Sequence, residues 1–149
     1  MSGTLFQAPA YDPRRERRRK VVLAIVAVAL LAAGGLVWRF RHWSEERIVH
    51  GFFQSLQARD YERAYGAWMH DPEWKQHPER HARYAFNEFY RDWGPGGEWG
   101  IIKDFQVAGS ESPGSSSSGV VVVVTVNQRA ERARIWVEKG DRTLTFSPY

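Results

Sequence analysis

Two hydrophobic periods and one uninterrupted apolar run organise the chain. The run is VVLAIVAVALLAAGGLVW, Val21 to Trp38, which is 18 residues without a charge. As a helix it spans about 27 Å, close to the hydrocarbon thickness of a bilayer. After it, Ile48, Val49, Phe52, Phe53 and Leu56 recur at helical spacing. Ser44 with Glu45 and Glu46 reads as the cap and acidic first turn of that helix. Asp60 then interrupts, its short carboxylate capping a second helix whose stripe is Tyr61, Ala64, Tyr65 and Trp68. The stretch ARDY is therefore the corner of a helical hairpin.

A third helix is predicted from Pro78, a favourable first helical residue, with Ala82, Ala85, Phe86, Phe89, Tyr90 and Trp93 buried and GPGG ending it. Beyond Gly94 the period becomes two. Trp99, Ile101, Phe105 and Val107 share one face of a first strand, broken only by Lys103. Five valines, Val120 to Val124, fit a strand covered on both faces. Ala133, Ile135 and Val137 point inward from a third strand with Arg134, Trp136 and Glu138 opposite, and KGD turns into a last strand with Leu144 and Phe146. Residues 109–119, GSESPGSSSSG, form a flexible loop with no large apolar side chain to dock. No internal repeat is evident.

Charge gives the apolar run an orientation. Residues 1–20 hold Arg14, Arg15, Arg17, Arg18, Arg19 and Lys20 against Asp12 and Glu16, while the remaining 129 residues carry 15 basic and 15 acidic side chains. The overall +4 is thus a tail property, and without a basic face elsewhere a nucleic-acid partner is not expected. Six basic residues before the run outweigh Arg39 and Arg41 after it. The positive-inside rule then makes residues 1–20 a basic cytoplasmic tail, 21–38 a transmembrane helix, 39–44 a juxtamembrane linker and 45–149 an extracytoplasmic domain of the inner membrane. Trp38, Phe40 and Trp43 fall where an interfacial aromatic belt belongs. Ala32, Ala33 and Gly34 would admit a signal peptidase, so cleavage is the alternative, but the run exceeds the usual signal core of about 7 to 15 residues. RRKVV meets only the loosest twin-arginine pattern. The absence of Cys excludes disulfides and thiolate metal sites.

A helical hairpin, a third helix and a meander of apolar strands make an α+β class in which three helices pack on a curved antiparallel sheet. In FFQSLQARDYERAYGAW, YAFNEFYRDWG and ARIWVEKGDRTLTFSPY, the segment 45–149 resembles the nuclear transport factor 2-like superfamily, a cone-shaped fold shared with ketosteroid isomerases and polyketide cyclases. It is similar to small membrane-anchored bacterial members of unassigned function. HDPEWKQH offers no clear counterpart of the short strand that the family commonly places between its second and third helices.

The resemblance implies a pocket, in which isomerase members set an Asp base and a Tyr or acidic donor against a developing oxyanion. By type and position Tyr61, Tyr65, Tyr84, Tyr90 and Asp92 are the candidate pocket residues here, although no segment matches an isomerase motif. His77 and His81, with His70, Asp71, Glu73 and Glu79 nearby, invite a zinc reading, but Pro78 makes His77 a cap, so the two imidazoles need not converge. No metal and no cofactor is expected. The serines at 115–118 lie in no nucleophile-elbow context. Two function classes follow. One is a membrane-anchored, non-enzymatic domain binding an envelope protein partner or a small apolar ligand. The other is an isomerase- or cyclase-type enzyme, which needs a buried carboxylate with a raised pKa.

Overall fold

The computed structural model describes residues 13–149; the earlier part of the basic tail, 1–12, lies outside the described residues. Two compact units result, 1–41 and 42–149. The first is α1, Pro13–Phe40, with Pro13 as its first residue and no buried side chain. Its mean hydropathy reaches 2.7, and by length and composition it is able to cross a membrane or to act as a signal sequence. The six basic residues Arg14 to Lys20 are part of this helix, and Lys20 pairs with Glu16 at 2.8 Å one turn away. The expected 39–44 linker shrinks to the turn at Arg41 and His42, because helix continues through Phe40 and resumes at Trp43.

The second unit is α+β, with α2 (Trp43–Gln57), α3 (Tyr61–Trp68), α4 (Phe86–Trp93) and one antiparallel sheet of β1 (Phe105–Glu111), β2 (Gly119–Val126), β3 (Arg132–Glu138) and β4 (Leu144–Phe146) in the order β1-β2-β3-β4. Helix α2 begins one residue before Ser44, so Ser44 is not its cap; its hydroxyl donates to Glu45 at 2.7 Å inside the first turn. The hairpin corner forms as expected. Arg59 takes a left-handed backbone (φ 58°) and Asp60 accepts the Arg63 N–H at 3.1 Å. Val49, Phe52, Phe53 and Leu56 of α2 and Ala64, Tyr65 and Trp68 of α3 are buried.

The third helix is shorter than its stripe. Pro78–His81 is a single 3-10 turn and α4 starts only at Phe86. Two side chains set that start. The Tyr65 hydroxyl donates to the Tyr84 carbonyl at 2.6 Å, and the Glu88 carboxylate reaches back to accept the Ala85 N–H at 3.2 Å. Phe89 and Trp93 are buried as expected, whereas Ala82 is exposed and Tyr90 is 45% exposed.

The first strand is also displaced. Gly100 has φ +62°, and the Asn127 side chain accepts the N–H groups of Lys103 (2.7 Å) and Asp104 (3.3 Å) while donating to the Ile101 carbonyl (2.9 Å). The backbone bonds a strand would use are thereby taken, so β1 opens at Phe105 and Ile102 is buried in place of Ile101. Gly109 (φ +149°) marks a bulge between Val107 and the Val123 register, and belongs to the strand, not to the loop. The serine-rich connection is therefore 112–118, turned on itself by Ser117 N–H to Gly114 carbonyl at 3.2 Å.

Strand β2 has both faces buried. Val120, Val122, Val124 and Val126 join Ala133, Ile135 and Val137 in the core shared with α2, α3 and α4. Val121 and Val123 face the other way, opposite Trp136 and Arg134 of β3. The Trp136 ring lies 5.9 Å from Tyr149, whose carbonyl accepts from Arg134 at 3.2 Å. The valine run thus needs no second layer of secondary structure. Gly119 completes this face, since a Cβ there would lie 2.3 Å from the Trp136 ring.

Candidate functional site

The five candidate residues divide into two groups. Tyr61 on α3 and Tyr90 on α4 meet edge-to-face at 5.1 Å, apart from the other three. Burial, followed by the neighbouring Tyr90, raises the Tyr61 pKa. Tyr65, Tyr84 and Asp92 are instead chained by hydrogen bonds. Tyr65 is packed among Trp74, Phe86 and Phe89 (ring centroids 4.8, 5.5 and 5.2 Å), and its hydroxyl goes to the Tyr84 carbonyl. The Tyr84 hydroxyl donates to Asp92 Oδ2 at 2.8 Å. Burial first, and the Asp92 hydrogen bond next, hold the Tyr84 phenol far above its ordinary pKa. It is a permanent donor, and the donated proton is directed at a carboxylate.

Tyr84 also lines a cleft of about 610 Å³ between the end of α3, the segment 80–84 and the segment 141–146. Trp68, Tyr84 and Phe146 form its aromatic wall: Phe146 lies 5.2 Å from Trp68 and 6.4 Å from Tyr84, and stacks at 5.7 Å on Trp93. Phe146 shares the core side of β4 with buried Leu144, yet is 50% exposed. Arg80 and Arg83 supply the cationic groups of the wall. Its one carboxylate, Asp141, accepts from the Thr143 hydroxyl (2.6 Å) and N–H (2.9 Å), and these bonds hold its pKa below the usual carboxylate value. Asp92 faces a different hollow of about 470 Å³, shared with Gly96, Gly97 and Trp99, and Phe146 borders both. A cleft of about 620 Å³ between α3 and residues 70–76 touches none of the five candidates.

Trp68 and Phe146 were legible only as core positions, and the arginines only as RHAR, two cations flanking His81. What unites them is the fold.

The histidines depart from expectation. His77 does cap the Pro78 turn, but its Nδ1 lies 3.1 Å from Asp71 Oδ2, and His81 Nε2 lies 2.9 Å from the same oxygen. Both imidazoles converge on one carboxylate. The His81 bond above all, offset in part by desolvation and reinforced by His77, holds Asp71 below the ordinary carboxylate pKa. An ionised Asp71 makes both facing nitrogens donors. Among the described residues no group of three or more His, Asp or Glu side chains is arranged to hold a metal ion.

Trp38, Phe40 and Trp43 are exposed, and each carries a guanidinium over its ring: Arg41 over Trp38 (5.8 Å), Arg39 over Phe40 (5.9 Å) and Arg47 over Trp43 (5.3 Å). No family model matches the chain, and no curated protein or solved structure matches it either.

Proposed function

We propose that this is a single-pass inner-membrane protein with a cytoplasmic N-terminus, whose extracytoplasmic domain is a cone-shaped, nuclear transport factor 2-like module. The module binds a small apolar ligand or an envelope protein partner without catalysing a reaction, as an accessory factor of the envelope. The observation that carries the binding reading is the cleft with Phe146 half exposed beside Trp68 and Tyr84. An aromatic wall of this kind gains from covering, at about 25 cal/mol per Å² of apolar surface. The proton-transfer groups nearby are engaged elsewhere, Tyr84 with Asp92 and Asp141 with Thr143. For the membrane reading, support comes from the wholly unburied α1 and its Arg-capped aromatics.

Titrating the full chain in non-ionic micelles with 2-naphthalenemethanol tests the binding reading through tryptophan emission. Saturable quenching that Phe146→Ala removes supports it; identical, non-saturating quenching in both proteins rejects it. A reporter fused after Tyr149 that works only in the cytoplasm reverses the topology.

The enzyme alternative draws on one observation, the 2.8 Å Tyr84–Asp92 pair, which has the donor and carboxylate types of an isomerase site. It requires Asp92 to be released from Tyr84 when substrate enters.

A further inference from the structure

The cleft wall combines aromatic rings with two guanidiniums that no carboxylate pairs with among the described residues. Arg80 lies in the Pro78–His81 turn and Arg83 follows three residues later; both line the cleft and are exposed, and neither guanidinium makes a hydrogen bond or ion pair among the described residues. Asp71 holds His77 and His81 through one oxygen, and Asp141 is bound by Thr143. His81 lines the cleft too, but its Nε2–H is turned to Asp71. The wall therefore carries two fixed positive charges against the single carboxylate of Asp141, beside the Trp68, Tyr84 and Phe146 rings.

We infer that the cleft is a site for a small organic carboxylate with an aromatic or other flat apolar body. This rests on the small-ligand reading above and adds the anionic group to it. Arg80 and Arg83 hold the carboxylate, for which the planar guanidinium fork is suited, and the body lies on Phe146. The volume of about 610 Å³ fits a compact ligand of that size. Arg83 and the Tyr84 ring come from one segment, so the anionic and apolar ends are read by adjacent residues.

The test compares 2-naphthoate with 2-naphthalenemethanol, which share a body and differ in charge, by calorimetry on the full chain in non-ionic micelles. The expected result is naphthoate bound about tenfold more tightly, a preference that Arg80→Gln/Arg83→Gln abolishes while leaving the neutral probe unaffected. Added salt should narrow the preference in the unsubstituted protein only. Because both arginines are exposed and unpaired, the double variant should melt as the parent does, which circular dichroism verifies. Equal affinity for the two probes, or a preference that survives the double substitution, overturns the anion inference and leaves the apolar-ligand reading standing. Failure of both probes to bind the unsubstituted chain sinks the two together.

Discussion

The run Val21 to Trp38 and the run Val120 to Val124 share a chemistry and have opposite surroundings. Every side chain of the first is exposed, and every valine of the second is buried. Five residues are few enough for one domain to cover on two faces, with α2 to α4 on one side and Trp136, Arg134 and Tyr149 on the other. Eighteen residues with apolar side chains all round a helix leave it no polar face to turn to water. An apolar helix left in that state is stable only in an apolar medium. Apolar composition therefore states that a segment must leave water, and length decides how much of it a fold of this size is able to cover.

Putting the same charge into each run should break the comparison most sharply. Val122→Asp buries an unpaired carboxylate in the sheet core and should cost about 5 kcal/mol or more, leaving no cooperative melt. Trp93→Ala comes next at about 3 to 5 kcal/mol, because the ring is 1% exposed and packs against Phe52, Phe53 and Phe146; urea unfolding measures it. Val28→Asp should leave that unfolding transition in place and instead weaken membrane insertion by about 2.5 to 3.5 kcal/mol, read by membrane fractionation.

A smaller effect is expected at Asp71. Its carboxyl is held below the ordinary value, so its contribution to stability is present above that ordinary value and is lost as pH falls through its own lower one. Asp71→Asn should lower the melting temperature at neutral pH, by less than Trp93→Ala, and flatten the fall seen below about pH 4. Melting curves from pH 2 to pH 7 check both. Least of all should follow from shortening residues 112–118 to Asn-Gly. Ser112 and Ser117 bond within the segment to the Gly114 carbonyl, Ser117 and Ser118 are tied to Glu138 and Lys139 at the end of β3, and the loop contains no large apolar side chain. Folding and probe binding should persist, with a slight gain from loop-closure entropy; a lost probe would mean that the loop reaches the ligand.

The sequence by itself determined what depends on near neighbours. The stripe of α2, the Asp60 cap, the doubly buried valines and the alternation of β3 all follow from spacings of four residues or fewer, and all are present. Tertiary structure decided the rest. Where α4 begins depends on Tyr65 reaching a carbonyl 19 residues on, and where β1 begins depends on Asn127 binding back to Lys103 across 24. Asp71 gathers His77 and His81 from 6 and 10 residues away, a convergence that the Pro78 cap did not require. The cleft unites residues 68, 80–84 and 141–146, distant in the chain. Period and capping act through a backbone that links adjacent residues, so they can be read along it. A side chain that competes for a distant backbone group, or walls a cleft, acts through space that only the completed packing creates.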